Sequence, residues 1–180
     1  EFRLRRYLTF AEFKSELAPH FGLGLEGYAT WTSPIRKYSD MVNHRLIKAV
    51  LTQQACEKPQ DEVLARLQEA RRQNRLVERD IADWLYCRYL AGKVAENAEF
   101  DAEVQDVMRG GLRVQLLENG ASMFVPASTL HPNKDEMQVN ADELALYIQG
   151  ERRYKIGDLV KVKLTEVREE TRSIIGQLII

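Results

Sequence analysis

The sequence is poor in the features that mark secreted, membrane or metal-cluster proteins. Its 180 residues hold two cysteines, Cys56 and Cys87. They form neither a metal-ligand spacing nor a disulfide framework, so two reduced thiols in a cytoplasmic protein are expected. No apolar run approaches the roughly 20 residues of a membrane helix. The opening Glu-Phe-Arg-Leu-Arg-Arg has no apolar core of signal-peptide length. His44 has no partner at metal-ligand spacing and reads as a satisfied or partly exposed histidine. An excess of one charge is missing too, since the net charge is −1.

What is present is the composition of a globular protein, 44% apolar and 29% charged, long enough for one ordinary domain or two small ones. The near-zero net charge conceals an asymmetry. Residues 1–95 carry 16 Lys and Arg against 12 Asp and Glu, whereas residues 96–180 carry 10 against 15. An acidic second half lowers the expectation of strong independent nucleic-acid affinity there, although a local basic stripe remains compatible with it.

The chain is organised around Tyr28-Ala-Thr-Trp-Thr-Ser-Pro-Ile-Arg-Lys-Tyr-Ser-Asp40. The alternation over 28–32 predicts a short half-buried strand. Ser33 is a suitable N-cap and Pro34 suits a first helical position, so a helix is expected over 34–51. Arg36 then falls in the first turn, where free amide hydrogens and the helix dipole favour an anion. Its planar fork of donors matches a phosphate or a carboxylate. Lys37 adjoins it, and Asp40 is placed to hold either side chain. The competing reading is structural, with Arg36 paired to a nearby carboxylate and tying the helix down. The residues before this stretch predict a basic start (Arg3, Arg5, Arg6, Tyr7), a short helix near Phe10–Leu17 capped by Thr9, and a glycine-rich turn at His20-Phe-Gly-Leu-Gly-Leu.

Thr32-Ser-Pro-Ile-Arg-Lys-Tyr-Ser-Asp40, followed by Met41-Val-Asn-His-Arg45 and preceded by His20-Phe-Gly-Leu23, resembles the late signature of the RNB catalytic domain of the ribonuclease II family of exoribonucleases. The resemblance is to the bacterial members and covers essentially the whole chain. Roughly the first half is similar to the end of the RNB domain and the second half to the C-terminal RNA-binding domain. The resemblance favours Arg36 as the catalytic candidate, a clamp on the scissile phosphate, and Lys37 and Tyr38 beside it are candidate RNA contacts.

Within the expected 34–51 helix, Ile35, Tyr38, Met41, Val42, Arg45, Leu46, Ala49 and Val50 recur at helical spacing and predict a core face. A polar loop from Gln53 to Gln60 precedes a long helix over about 61–91, with an apolar stripe of Val63, Leu64, Leu67, Ala70, Val77, Ile81, Trp84 and Leu85. Opposite it Arg71, Arg75 and Arg79 recur every four residues, with Glu78 in pairing range of Arg75. Such a run is ordinarily a solvated face. The functional alternative is a basic wall along an RNA channel, with Arg75 and Arg79 touching RNA. The resemblance further implies that Glu78 lies near the last nucleotides. Asp83-Trp-Leu-Tyr-Cys-Arg-Tyr-Leu90 fits helix packing and is expected to be core.

From Ala95 the pattern changes to short strands, which places a boundary between domains 1–95 and 96–180. Strands are expected over 99–107, 112–117, 121–125, 159–167 and 173–179. Asn119-Gly120 gives a two-residue hairpin signal, a helical turn is expected at 126–130, and a polar loop should run on to about Arg153. Five strands with a helical turn after the third is the OB-fold count, so the fold class is α+β, a helical segment followed by a five-stranded OB-fold barrel. Gly-Gly-Leu-Arg-Val, Asn-Gly-Ala-Ser-Met-Phe-Val-Pro and Tyr-Lys-Ile-Gly-Asp-Leu-Val-Lys-Val-Lys are similar to the S-one-type RNA-binding domain. The chain departs from that family's Phe-Gly pair on the second strand, having Gly111-Leu112-Arg113. Phe124 and His131 are the candidate stacking platforms, with a core position the alternative for Phe124. Lys155, Lys161, Lys163, Arg113 and Arg172 are candidates for a basic track.

The resemblance implies hydrolysis of single-stranded RNA from the 3′ end to nucleoside 5′-monophosphates, using Mg²⁺ held by an aspartate cluster. That cluster, Asp-x-x-x-x-x-Asp-x-Asp-Asp, is nowhere in this chain. The expectation is therefore a C-terminal piece that supplies one catalytic arginine and RNA contacts but cannot cut RNA alone. Two other classes compete: a non-catalytic OB-fold binding module, and a helical interaction domain using the basic face of residues 71–79. No protein partner and no membrane association are inferable.

Overall fold

A computed structural model describes residues 8–179. The expected basic start at Arg3, Arg5, Arg6 and Tyr7 lies outside the described residues. Two compact units are present, Leu8–Val77 and a second that contains 78–179.

The first unit is sparse in regular structure before its helices. A 3₁₀ turn at Phe21–Leu23 closes with Gly24 at φ 63°, the left-handed conformation that glycine adopts without a Cβ penalty. The short helix expected near Phe10–Leu17 does not form, and residues 8–19 are irregular. The strand expected over 28–32 does not form either, because no described strand lies beside it to accept its hydrogen bonds. Helix α1 spans Tyr38–Leu51 and helix α2 spans Asp61–Ala91. The start of α1 corrects the sequence reading by four residues: Lys37, with no capping side chain, is its N-cap, and Ser33 and Pro34 belong to a preceding turn.

The core face expected for α1 is not a core among the described residues. Ile35 is fully exposed, Val50 is 73% exposed, and Asp40 is the helix's sole buried residue. The stripe expected on α2 is open in the same way, since Val77, Ile81 and Leu85 are each more than half exposed. The helix instead buries Cys87 and Leu90. Desolvation, with the charges of Asp83 and Glu169, pushes the Cys87 thiol up, which leaves it a poor nucleophile. Trp84 and Tyr89, expected in the core, keep 39% and 52% of their surface, with Arg88 over the Trp84 ring and Lys93 over that of Tyr89.

The second unit is built on a closed barrel. Its strands are β1 (Glu99–Met108), β2 (Gly111–Leu116), β3 (Ser122–Pro126), β7 (Leu159–Arg168) and β8 (Ser173–Leu178). The order around the barrel is β1-β2-β3-β8-β7, with β7 returning to pair with β1. Pairing is antiparallel except between β3 and β8, which run parallel at Phe124 and Ile175. Period-two alternation sends Ala102, Val104, Leu112, Val114, Leu116, Met123, Val125, Val162 and Leu164 inward. Residues 127–130 form a one-turn helix, α3, after β3, as the OB-fold requires.

Two details differ from the sequence reading. The β2–β3 connection is a four-residue loop over 117–120, not a two-residue turn, and the Leu116 amide donates to the Ala121 carbonyl at 2.9 Å. Asn119 steadies it by accepting the Ala121 amide hydrogen on Oδ1 at 2.9 Å, and its carbonyl receives the Tyr86 hydroxyl at 3.0 Å. The region read as a polar loop holds a three-stranded sheet of β4 (Met137–Asn140), β5 (Ala145–Ile148) and β6 (Glu151–Lys155) in the order β4-β5-β6. Leu146 and Ile148 of this side sheet join the barrel core. Strand β6 pairs with β5 alone and carries Glu151, Arg152, Arg153 and Lys155.

Candidate functional site

Arg36 lies on a turn whose backbone is wired to one buried carboxylate. The Ser33 carbonyl accepts the amide hydrogens of Arg36 at 3.2 Å and Lys37 at 2.9 Å. The Ser33 amide donates to Asp40 Oδ2 at 2.9 Å, and the Asp40 amide donates to the Lys37 carbonyl at 3.1 Å. Asp40 Oδ1 takes the Ser39 hydroxyl at 3.2 Å. Asp40 is fully buried and is the one buried charged or polar side chain among the described residues. Asn43 and His44, on the same face of α1, hold the segment before the turn. Asn43 Nδ2 donates to the Thr30 carbonyl at 2.8 Å. His44 Nε2 lies 2.9 Å from the Trp31 carbonyl, and its ring stacks on the Trp31 indole at 3.7 Å between centroids.

The expected partnership of Asp40 with Arg36 or Lys37 is therefore replaced by a carboxylate that receives neutral donors. The Thr30 hydroxyl, the Ser33 amide, the Ser39 hydroxyl and the charge of Lys37 hold its carboxyl below the usual carboxylate range, against the opposing effect of burial. A carboxyl depressed in the folded state stabilises the fold fully above its unfolded value, near 3.8, and that contribution is lost as pH falls through the lower folded value. The Asp40 carboxyl carbon, followed by NMR from pH 5 to pH 2, should titrate with its midpoint below 3.8. A midpoint above that value would contradict the hydrogen-bond assignment.

The side chains of Arg36, Lys37 and Tyr38 are exposed, and no carboxylate pairs with Arg36 among the described residues. Arg36 lies before α1 and not within its first turn, so its setting is the turn's geometry and not the helix dipole. Arg75, Glu78 and Arg79 are exposed on α2. Arg75 covers the Phe10 ring at 5.2 Å and Arg71 covers Phe13 at 5.6 Å, contacts that periodicity did not signal. The expected Arg75–Glu78 pair is absent among the described ion pairs, whereas Arg72 pairs with Glu69 at 2.8 Å and depresses the Glu69 carboxyl to about 2.

On the barrel, Phe124 points outward between the buried Met123 and Val125 and is half-buried, with the tip of its ring beside Gly110. Arg113 is its cross-strand neighbour on β2. Lys161 and Lys163 also face outward, but β1 sets them opposite Asp101 and Glu99. Arg113 is opposite Asp106 on the same strand. The two groups are thus five residues apart along β1, about 17 Å at strand spacing, and do not form one track. His131 is half-buried in its loop, with Nδ1 near Asn133 and Nε2 3.7 Å from Glu136. Arg172 is engaged by Asp80, and Lys155 lies on the side sheet. No three His, Cys, Asp or Glu side chains converge among the described residues, so those residues do not fit a Mg²⁺ site. No described helix is long and apolar enough to cross a membrane.

Comparison with known proteins gives this geometry its context. The RNB domain profile matches residues 1–53, and the S1 RNA binding domain profile matches residues 93–178. Exoribonuclease 2 of Haemophilus influenzae is 86% identical over 179 residues, 99% of this chain and 27% of that protein. Exoribonuclease 2 of Mannheimia succiniciproducens is 82% identical over the same shares. The chain thus spans about a quarter of the length of these relatives. Among solved structures, the apo form of Mycoplasma genitalium RNase R aligns with a TM-score of 0.77 at 24% identity, covering 98% of this chain and 28% of that one, which shows the shared fold. The Arg36 turn falls inside the first match and the closed barrel inside the second, so the chain is similar to RNB-domain sequence over 1–53 and to the S1 RNA binding domain over 93–178.

Proposed function

We propose that this chain serves within a 3′→5′ exoribonuclease that hydrolyses single-stranded RNA to nucleoside 5′-monophosphates. The observation that carries this reading is the Arg36 turn, an exposed guanidinium with no carboxylate partner among the described residues, on a backbone held by a buried acid. A guanidinium so presented can take two oxygens of one phosphate and oppose the charge that grows there as the linkage breaks. Lys37 and Tyr38 would extend that contact, and Arg75, Glu78 and Arg79 on α2 would each contact RNA. Mg²⁺, where bound, would supply hydroxide and steady the leaving oxygen. Its ligands would come from outside these residues, so no step is assigned to a metal held by this chain. Functionally the division falls at 1–95, which places Arg36, and 96–180, which holds RNA.

The barrel supplies the holding function. Phe124 offers a face for a base while Arg113 beside it meets the phosphate. Replacing Phe124 by Ala should weaken binding of an unstructured oligoribonucleotide by about 1–3 kcal/mol, measured by fluorescence anisotropy. Unchanged affinity would remove Phe124 from the interface. The acids on β1 opposite Lys161 and Lys163 make that side a weaker contributor, and His131 would act at the rim.

The reading as a whole is tested by an RNase assay with Mg²⁺ on this chain beside an intact exoribonuclease, with 3′-blocked and unblocked RNA. The chain should bind both RNAs and cut neither, while the intact enzyme should degrade the unblocked RNA alone. Cleavage by the chain itself would overturn the placement of the metal elsewhere. A second reading, a binding module without catalysis, draws on the barrel's closed core of its own. An intact enzyme indifferent to Arg36 would favour it.

A further inference from the structure

We propose that Asp40 is a positioning residue for Arg36, fixing the turn that presents the guanidinium. The inference rests on the reading of Arg36 as a phosphate contact. It starts from what the turn lacks. Ile35 is fully exposed and the Arg36 side chain is exposed, so neither packs the turn in place. Pro34 constrains its own φ but offers no amide hydrogen. The remaining restraint is a circuit of hydrogen bonds with both ends on one residue. Asp40 Oδ2 takes the Ser33 amide, the Ser33 carbonyl takes the Arg36 and Lys37 amides, and the Lys37 carbonyl takes the Asp40 amide. Arg36 is inside this circuit and contributes only its backbone to it.

The chemistry explains why a carboxylate is needed. Ser33 N–H and the Ser39 hydroxyl both approach as donors, and Ser39 in turn accepts the Thr30 hydroxyl. A carboxylate accepts on both oxygens, whereas an amide would aim its NH₂ at one of these donors. A buried acid costs desolvation unless such donors are supplied, and here the turn supplies them, with the charge of Lys37 adding to their effect. Asp40 is itself anchored in the first turn of α1, so the circuit ties the turn to a regular element.

Two measurements on the whole 180-residue chain test the proposal. Amide hydrogen exchange, read by NMR, should rise at Ser33, Arg36 and Lys37 by on the order of tenfold or more in Asp40→Ala, with α2 and the barrel unchanged. Should Asp40→Ala fail to fold, the near-isosteric Asp40→Asn is read in the same way and should show a smaller rise at the same amides. The second measurement is the salt dependence of binding to a single-stranded oligoribonucleotide. Arg36→Ala should reduce the log–log slope by about 0.7, the loss of one phosphate contact. Asp40→Ala keeps every cation but should lose a similar amount, and the double variant should lose less than the sum. Slope losses that add, or unchanged exchange at Ser33 and Lys37, would overturn the proposal. An Arg36→Ala slope equal to the parent would instead sink the phosphate reading, while exchange at Ser33 still reports whether Asp40 holds the turn.

Discussion

An intact exoribonuclease carrying this chain with Arg36→Ala should turn over about 10²–10³-fold more slowly while its affinity for single-stranded RNA falls by less than about tenfold. The asymmetry follows from when the guanidinium matters. RNA in the ground state is held by many contacts, so losing one cation removes a small share of the binding. Charge on the phosphate that reacts is greatest in the transition state, where an oriented donor pair contributes about 3–4 kcal/mol. Arg36→Lys should fall between the two, since an ammonium keeps the charge but not the planar fork. Single-turnover kinetics at saturating RNA separate chemistry from binding. Parent-like turnover in Arg36→Ala would take this side chain out of the reaction.

Gly111→Ala should destabilise the barrel by about 3–5 kcal/mol, or prevent it from folding, as read by urea or thermal unfolding. Gly111 opens β2 at φ 142°, in the region that L side chains rarely adopt. A Cβ built there would lie 2.0 Å from the Val125 carbonyl oxygen and 2.8 Å from the Ala127 nitrogen. Both are backbone atoms of the β3 end and the following turn, so no side chain can rotate aside. The neighbouring Gly110 is a control, because its Cβ would meet only the Phe124 ring tip at an ordinary 3.7 Å. Gly110→Ala should therefore remain folded, and equal losses at the two positions would refute the steric argument.

The barrel was legible in the sequence because its strands are bounded by turn residues and alternate with period two, as Leu112-Arg-Val-Gln-Leu116 and Met123-Phe-Val125 show. The long helix α2 was legible to its ends. The side sheet was not. Its strands are four or five residues long, and β6 is almost wholly charged, so neither length nor hydrophobic alternation marks it. In the N-terminal unit the Pro34-Ile-Arg motif was visible, but its local structure was misplaced. Ser33-Pro34 is as compatible with a turn as with a helix start, and the choice is made by Asp40, whose reach back to the Ser33 amide is a tertiary fact that propensity does not carry. Periodicity likewise identifies which residues of α1 and α2 share a face, not whether anything covers that face.

The side sheet has a consequence for the molecule among its neighbours. A closed barrel leaves no strand margin for another chain to extend, whereas β4 and β6 of the side sheet each pair with β5 alone. The run of Glu151, Arg152, Arg153 and Lys155, with Arg153 paired to Glu151 at 2.9 Å, sets charged side chains along the β6 margin, which a second copy laid beside it would have to desolvate. Of the two margins of this sheet, the β6 side is thereby guarded against templating cross-strand aggregates, whereas the β4 side, Met137-Gln-Val-Asn140, carries no charge.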